Sequence, residues 1–214
     1  MCHSFRRAGD TGHKVGAVTH GLRARKKEQT RTAITAAALD LFEAKGYDST
    51  TVEDIAEASN VSARTFFRYF DSKLDLVLPG KDDDGESTLA DGLDARPPGE
   101  GPVEAAHNVI RQKLAELLED DRHTTMRQLR IVMANPSLRA LVVEHSRYHR
   151  GEMVLAFAKR MNAAPDDLGP QVLAAAVAEA IWVIVERWVA DGAQPRSLST
   201  MVDETFTLLR DGFG

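Results

Sequence analysis

Apolar residues recur along this chain at the three-to-four-residue spacing of helices, and no stretch alternates like a half-buried strand. Ile34, Ala37, Ala38, Leu41 and Phe42 fall at i, i+3, i+4, i+7 and i+8, giving one apolar face, and Gly46 stands just past it as a C-cap. Thr50 and Glu53 have the spacing of a capping box that opens a second helix ending near Ser59. Ser62 caps a third helix reaching Phe70, and Asp71 or Ser72 opens a fourth that reaches Leu78. Further periodic segments lie at 103–118, 122–134, 137–161, 171–191 and 198–209, separated by Asn135-Pro136, by Pro165 to Pro170 and by Gly192 to Pro195. Between Pro79 and Pro102 the chain is rich in breakers, with Leu89 and Leu93 spaced to face inward on a short helix. The pattern predicts an all-α protein with three parts: a flexible basic arm (1–27), a three-helix helix-turn-helix domain (28–78) and a second helical domain (79–214).

Residues 50–73 carry the most specific signal. Val52, Ile55, Ala56, Val61 and Phe66 supply the apolar and small residues that two steeply crossing helices need across a short turn. The turn requires positive φ, which Asn60 tolerates better than any other residue except glycine. On the third helix Phe66 and Phe70 share the inner face, which leaves Ser62, Ala63, Arg64, Thr65, Phe67, Arg68 and Tyr69 around the outside. An exposed aromatic beside two arginines is costly on an ordinary surface and useful in a major groove. Arg64 is placed to pair with a guanine and Thr65 to meet a base edge or a thymine methyl. Thr50, Thr51, Tyr69 and Lys73 are placed for phosphates, Lys73 beside the amide-rich start of the fourth helix.

Charge sharpens this division. Up to Leu78 the chain has 12 Lys and Arg against 10 Asp and Glu, and beyond it 15 against 22, so only the first part suits a polyanion. Arg23, Arg25, Lys26 and Lys27 cluster ahead of the first helix, either as a solvated tail or as an arm along a DNA groove. The lone Cys2 excludes an internal disulfide and a thiolate zinc site. The start lacks the apolar core of a secretory signal. The richest apolar stretch, 172–190, is interrupted by Glu179, Glu186 and Arg187, so the reading is a cytoplasmic protein without a membrane partner. No nucleophile–base pair, phosphate loop or metal motif appears, which argues against an enzyme and implies no cofactor. His145 and His149 sit one turn apart, but Arg147 and Arg150 beside them favour a solvated face over a metal site.

From Thr30-Arg31-Thr32-Ala33-Ile34 through Ala37-Ala38-Leu39-Asp40-Leu41-Phe42, Gly46-Tyr47, Thr50-Thr51-Val52-Glu53-Asp54-Ile55-Ala56 and Val61-Ser62 to Phe70-Asp71-Ser72-Lys73, the chain resembles the DNA-binding domain of TetR-family regulators. The resemblance implies a homodimer, a near-palindromic double-stranded DNA operator, and a C-terminal domain that binds a small-molecule inducer, most often of a repressor. Asn60 stands where that family usually has glycine, and Phe67 where it often has a tyrosine whose hydroxyl reaches a phosphate. An architectural DNA-binding protein is the rival reading, distinguished by its lack of sequence preference.

For the C-terminal half, Arg127 to Ala140 and Trp188-Val189-Ala190-Asp191-Gly192 are similar to actinobacterial regulators near the mycofactocin-associated group, which implies a lipophilic, acyl-CoA-like effector. Met126, Arg130, Met133, Tyr148, Met153 and Trp182 are the candidate ligand-binding residues, with plain core as the alternative for each. The resemblance also implies that the last two helices form the dimer interface. Ala174, Ala175, Ala176, Ala178 and Ala180 would allow close approach there, with Ile181, Trp182, Val185, Trp188, Phe206, Leu208 and Leu209 supplying buried area. The alternative is that 171–191 is the domain's own central helix.

Overall fold

The computed structural model describes residues 13–78, 88–192 and 195–212, with side chains described from residue 25 onward except at 119–120, 148–149 and 195–196. The start of the chain, the Pro79 boundary region, and the side chains of Tyr148 and His149 therefore lie outside the described residues. Among the described residues there are eight α-helices and no strand, as the periodicity predicts: α1 (His13–Lys45), α2 (Val52–Ala58), α3 (Ala63–Phe66), α4 (Leu89–Ala95), α5 (Pro102–Ala134), α6 (Pro136–Met161), α7 (Leu168–Ala190) and α8 (Pro195–Asp211). A 3₁₀ turn, Leu74–Val77, stands where a fourth α-helix was expected.

The first correction concerns α1. Residues 13–27, expected to be an irregular arm, continue the helix upstream. Positions 22–29 are Leu, Arg, Ala, Arg, Lys, Lys, Glu and Gln, all strong helix formers, so no apolar face is needed to propagate it from the packed part. Downstream, Ile34, Ala38 and Phe42 are buried as the stripe predicts. Leu39 is buried too, because α2, α5 and the 3₁₀ turn all pack on α1 and widen its inner face. Gly46, at φ 89°, ends the helix and donates to the Phe42 carbonyl at 3.0 Å.

The loop after α1 is held by a side chain from elsewhere. The Lys73 ammonium donates to the carbonyls of Tyr47 (2.7 Å) and Thr50 (2.9 Å) and lies 4.1 Å from the centre of the Tyr47 ring. Burial loosens the hold of Lys73 on its proton and pushes the Tyr47 phenol up to about 12. Just beyond, the buried Asp75 carboxylate accepts from the Asp71 amide (2.8 Å), the Ser72 amide (3.1 Å) and the Ser72 hydroxyl (3.2 Å). Those three bonds bend the backbone sharply and account for a 3₁₀ turn in place of a full helix.

The N-terminal core joins Ile34, Leu39, Phe42, Ile55, Phe66, Phe70, Leu76 and Val77 to Ile131, Val132, Leu138 and Val142 from the α5–α6 corner. A polar seam runs beside it. Arg127 donates to Glu43 at 2.8 and 2.7 Å and to Asp40 at 2.6 Å, while the Gln128 amide donates to the Leu76 carbonyl at 2.9 Å. Arg127 holds the Glu43 carboxyl below its ordinary range through that hydrogen bond.

The second core is a bundle of α4 to α8 built on Leu93, Ala106, Val109, Ile110, Phe157, Val177, Ile184, Trp188 and Phe206. Gly92 lets α4 sit against α5, since a Cβ there would lie 2.6 Å from a Val109 methyl. The Arg160 guanidinium donates to the carbonyls of Leu93, Arg96, Pro97 and Glu100, which ties down the α4–α5 loop. The break expected between residues 118 and 122 is a kink in α5 at Asp121 (φ −152°, ψ 78°), where the Asp121 carboxylate caps the Thr124 amide at 3.0 Å.

Helix α7 requires one correction, and it concerns which residues face inward. By length and hydropathy it is apolar enough to cross a membrane, yet here it is a bundle helix, with Ala174, Val177, Ala180, Ile184 and Trp188 buried against its neighbours. Trp188 and Phe206, expected at a dimer interface, lie in this core at 1% exposure, Ala174 lies with them, and Ala180 is also buried. The outward residues are instead Leu168 (78% exposed), Val172 (61%) and Val183 (55%), together with Leu208, which was expected there.

The Lys73 brace yields a stability prediction. Lys73→Met keeps the apolar stem and removes the donor from two loop carbonyls, at a cost of about 1.5–3 kcal/mol for charge-assisted bonds. Urea unfolding should show a lower midpoint with an unchanged m-value.

Candidate nucleic-acid interface

Each helix of the motif is started by its own side chains. The Thr51 hydroxyl accepts from the Asp54 amide at 3.1 Å and the Asp54 carboxylate accepts from the Thr51 amide at 2.8 Å, a complete capping box. It lies one residue later than the Thr50–Glu53 pairing expected from spacing. Lys45 reaches the same carboxylate at 2.7 Å, and with Thr51 holds Asp54 well below the usual carboxylate range. Asn60 supplies the turn with φ 55°, as predicted. Ser62 then caps α3, accepting from the Thr65 amide at 3.0 Å. Regular α geometry ends at Phe66, and the segment continues in turns through Tyr69, the Phe70 amide still reaching the Phe66 carbonyl at 3.0 Å.

Two faces result. Phe66 and Phe70 are buried with ring centres 5.6 Å apart. On the outside, Arg64, Phe67 and Arg68 are exposed, Phe67 at 55%, while Ala63, Thr65 and Tyr69 are half-buried beside them. Thr65 shares a 2.9 Å hydrogen bond with the Ser62 hydroxyl, and the Arg68 guanidinium lies 5.1 Å from the centre of the Tyr69 ring. Ser62, Ala63, Arg64, Thr65, Phe67, Arg68 and Tyr69 thus share one cationic and aromatic surface, with Thr51 exposed at the start of α2.

Two of the expected DNA contacts are overturned. Thr50 is 1% exposed and its hydroxyl donates to the Gly46 carbonyl at 2.8 Å, so it cannot meet a phosphate. Lys73 directs its ammonium inward at the α1–α2 loop carbonyls rather than toward an anion at a helix start. A residue not singled out from sequence, Arg31, positions the reading segment: its guanidinium donates to the Tyr69 carbonyl at 3.1 Å and lies 4.6 Å from the centre of the Phe70 ring. Its separation of 38 residues from Tyr69 leaves no local pattern to find it by.

The candidate ligand residues whose side chains are described, Met126, Arg130, Met133, Met153 and Trp182, do not converge on one cavity. A narrow apolar crevice, too tight to admit a water molecule, is lined by Leu89, Leu93, Ala106, Val109, Ile110, Met153 and Val177, so of the candidates whose side chains are described only Met153 reaches it. Met126 is buried in the same core. Trp182 packs on the N-terminal core with Arg139 above its ring, Met133 is half-buried, and Arg130 is exposed on the outer side of α5.

Residues 34–78 match the family described as bacterial regulatory proteins, tetR family, and residues 100–214 match the MftR C-terminal domain. The HTH-type transcriptional regulator TcmR of Streptomyces glaucescens is 38% identical over 173 residues, covering 78% of this chain and 76% of TcmR. MftR of Mycobacterium tuberculosis is 26% identical over 174 residues, covering 78% of this chain and 83% of MftR. Among solved structures, NalD, the secondary repressor of the MexAB-OprM multidrug efflux pump in Pseudomonas aeruginosa, superposes with a TM-score of 0.56 at 21% identity over 88% of this chain and 97% of NalD. FadR of Bacillus subtilis, in complex with stearoyl-CoA, gives 0.52 at 18% identity over 86% and 99%. With a helix-turn-helix at its N-terminal end, these two family matches in succession and a 38% identical relative across most of its length, the chain belongs to the TetR family of bacterial transcriptional regulators.

Proposed function

We propose that the protein is a soluble, cytoplasmic repressor that binds a near-palindromic double-stranded DNA operator as a homodimer and leaves it when a small lipophilic effector binds. The observation that carries the reading is the exposed Arg64–Phe67–Arg68 surface on a helix whose opposite face is fully buried. Such a surface fits a major groove, with Arg64 donating to a guanine, Thr65 and Phe67 against base edges or methyls, and Thr51, Ser62, Arg68 and Tyr69 on the backbone.

Dimer formation is supported by the apolar face of α7 and α8. Leu168, Gly169, Val172, Leu173, Ala176 and Leu209 line an open groove of about 490 Å³, and Val183 and Leu208 are exposed on the same two helices. A contiguous apolar surface of this kind calls for a partner, and a two-fold pair of such faces would form a four-helix contact. Two copies of α3 would then sit about 34–36 Å apart, one turn of DNA.

The effector class is supported by the crevice, whose seven lining residues are all apolar. FadR with its stearoyl-CoA makes an acyl chain the model occupant. The crevice is too narrow for an acyl chain as it stands, so binding has to part α4 from α5. Helix α5 lines the crevice with Ala106, Val109 and Ile110 and grips the DNA-binding half with Arg127 and Gln128. An effector with unequal affinity for the two positions of α5 would therefore shift the operator-bound population.

Arg64→Ala should weaken binding to duplexes recovered from a random pool by about 1–3 kcal/mol and relax preference at one base pair per half-site. Uniform weakening across all sequences would make Arg64 a phosphate contact and remove the base-reading assignment. Val172→Glu with Val183→Glu should convert the dimer to folded monomer in analytical ultracentrifugation, and a persisting dimer would refute the α7 interface.

A further inference from the structure

We propose that Trp182 is a positioning residue for operator recognition: it holds the DNA-binding half at one angle to α7 and so sets which spacing between half-sites the dimer accepts. The inference rests on the dimeric DNA-binding reading above and adds to it a determinant of spacing. Contacts made by α3 choose bases within a half-site, whereas the distance between half-sites is chosen by whatever holds the two copies of α3 apart.

Helix α7 serves three neighbours from adjacent positions. Val172 and Val183 are exposed on the side that the dimer reading uses. Ile184 and Trp188 are buried in the core of the α4–α8 bundle. Trp182 belongs to neither group. Its ring is half-buried and packs on the other core, which Ile131, Val132, Leu138 and Val142 close around Phe66 and Phe70. Among the described residues it is the one apolar side chain of α7 that packs there. The dimer-facing helix and the frame behind α3 therefore meet at this ring.

The ring is held from the α5–α6 corner. The Arg139 guanidinium, in the first turn of α6, lies 5.8 Å from the centre of the Trp182 ring and donates to Glu186, one turn further along α7, at 3.0 Å. That ion pair is too exposed to add much stability, and its effect is to keep the cation over the ring. One turn before Arg139, the Asn135 carbonyl accepts from the Leu138 amide at 3.0 Å while its amide donates to the Asp48 carboxylate, in the loop after α1, at 3.3 Å. A continuous bracket thus runs from the α1–α2 loop through the corner to α7.

Geometry makes such a bracket a spacing determinant. Adding one base pair moves a half-site by about 3.4 Å and turns it by about 34–36° around the duplex. A dimer that tells adjacent spacings apart has to hold α3 to a fraction of that. Trp182 lies about 15 Å along α7 from Val172, at 1.5 Å per residue, so a loosened ring would let the DNA-binding half pivot on the dimer face. An indole suits the task, being large, flat and limited to two side-chain torsions.

The test uses the full-length protein and a duplex recovered from a random pool by the wild type, remade with base pairs added or removed between the half-sites. Competition anisotropy then gives affinity against spacing. The wild type should lose at least about thirty-fold on a change of one base pair. Trp182→Leu should reduce that loss to within about five-fold, while keeping its base preference inside each half-site and its dimeric state in ultracentrifugation. Trp182→Phe, which keeps a flat ring, should restore most of the wild-type profile. Arg139→Ala, which leaves the apolar packing in place, should flatten the profile in the same direction by a smaller factor. In DNA-free protein carrying Cys2→Ser and a spin label at the exposed Glu57→Cys, the inter-protomer distance should be narrow and should broaden with Trp182→Leu. Wild-type spacing selectivity in Trp182→Leu, or in Arg139→Ala where Trp182→Leu does not fold, would overturn the assignment. A Trp182→Leu variant that falls to folded monomer would also overturn it, by making Trp182 part of the dimer contact. Wild-type protein indifferent to spacing would overturn the paired half-site reading itself, and this inference with it.

Discussion

The DNA-binding half of this chain does not complete its own core. Ile131, Val132, Leu138 and Val142, from the α5–α6 corner, finish the cluster that Ile34, Phe42, Phe66 and Phe70 begin. Each such side chain contributes about 1.5–3 kcal/mol when fully buried, so the corner is a major part of what keeps the helix-turn-helix folded. The ion pairs beside it contribute less. Asp40 and Glu43 are largely exposed, at 72% and 48%, and such pairs are worth about 0.2–1 kcal/mol. Their effect, with the buried Gln128 bond to the Leu76 carbonyl, is to fix the register at which α5 meets α1 and the 3₁₀ turn.

This constraint makes one helix answerable to two sites. Before the kink at Asp121, α5 packs on α4 and borders the apolar crevice; after it, α5 closes the DNA-binding core. The Thr125 hydroxyl bonds the Leu117 carbonyl at 3.3 Å across the kink, which keeps the two segments in step. Movement of α4 against α5 has a direct mechanical route to the frame that holds Arg64.

Where the sequence was legible, local rules were sufficient. The i, i+4 spacing of Phe66 and Phe70, the caps at Ser62 and Asn60, and the proline boundaries of α5 and α6 all express interactions within a few residues of chain. The errors arise where distant partners decide. Thr50 and Thr51 offer equivalent capping spacings, and only the Gly46 carbonyl, which captures the Thr50 hydroxyl, settles the choice. Lys73 reads as a cation at a helix start, but its acceptors are 26 and 23 residues earlier. Helix α7 is apolar nearly all round, so periodicity could not assign Trp188 to the core and Val172 to the outside. Residue type alone does not place a pocket: Met126 and Met153 pack in one core, Trp182 against the other, and Arg130 is exposed.

If the α5 seam holds α3 in place, native-state hydrogen exchange will register the loss of that seam. In the double variant Arg127→Ala, Gln128→Leu, amides of α2, α3 and residues 74–77 should lose protection by about ten-fold or more, while the core amides of α6 to α8 keep theirs. Unchanged protection in the DNA-binding half would contradict the account.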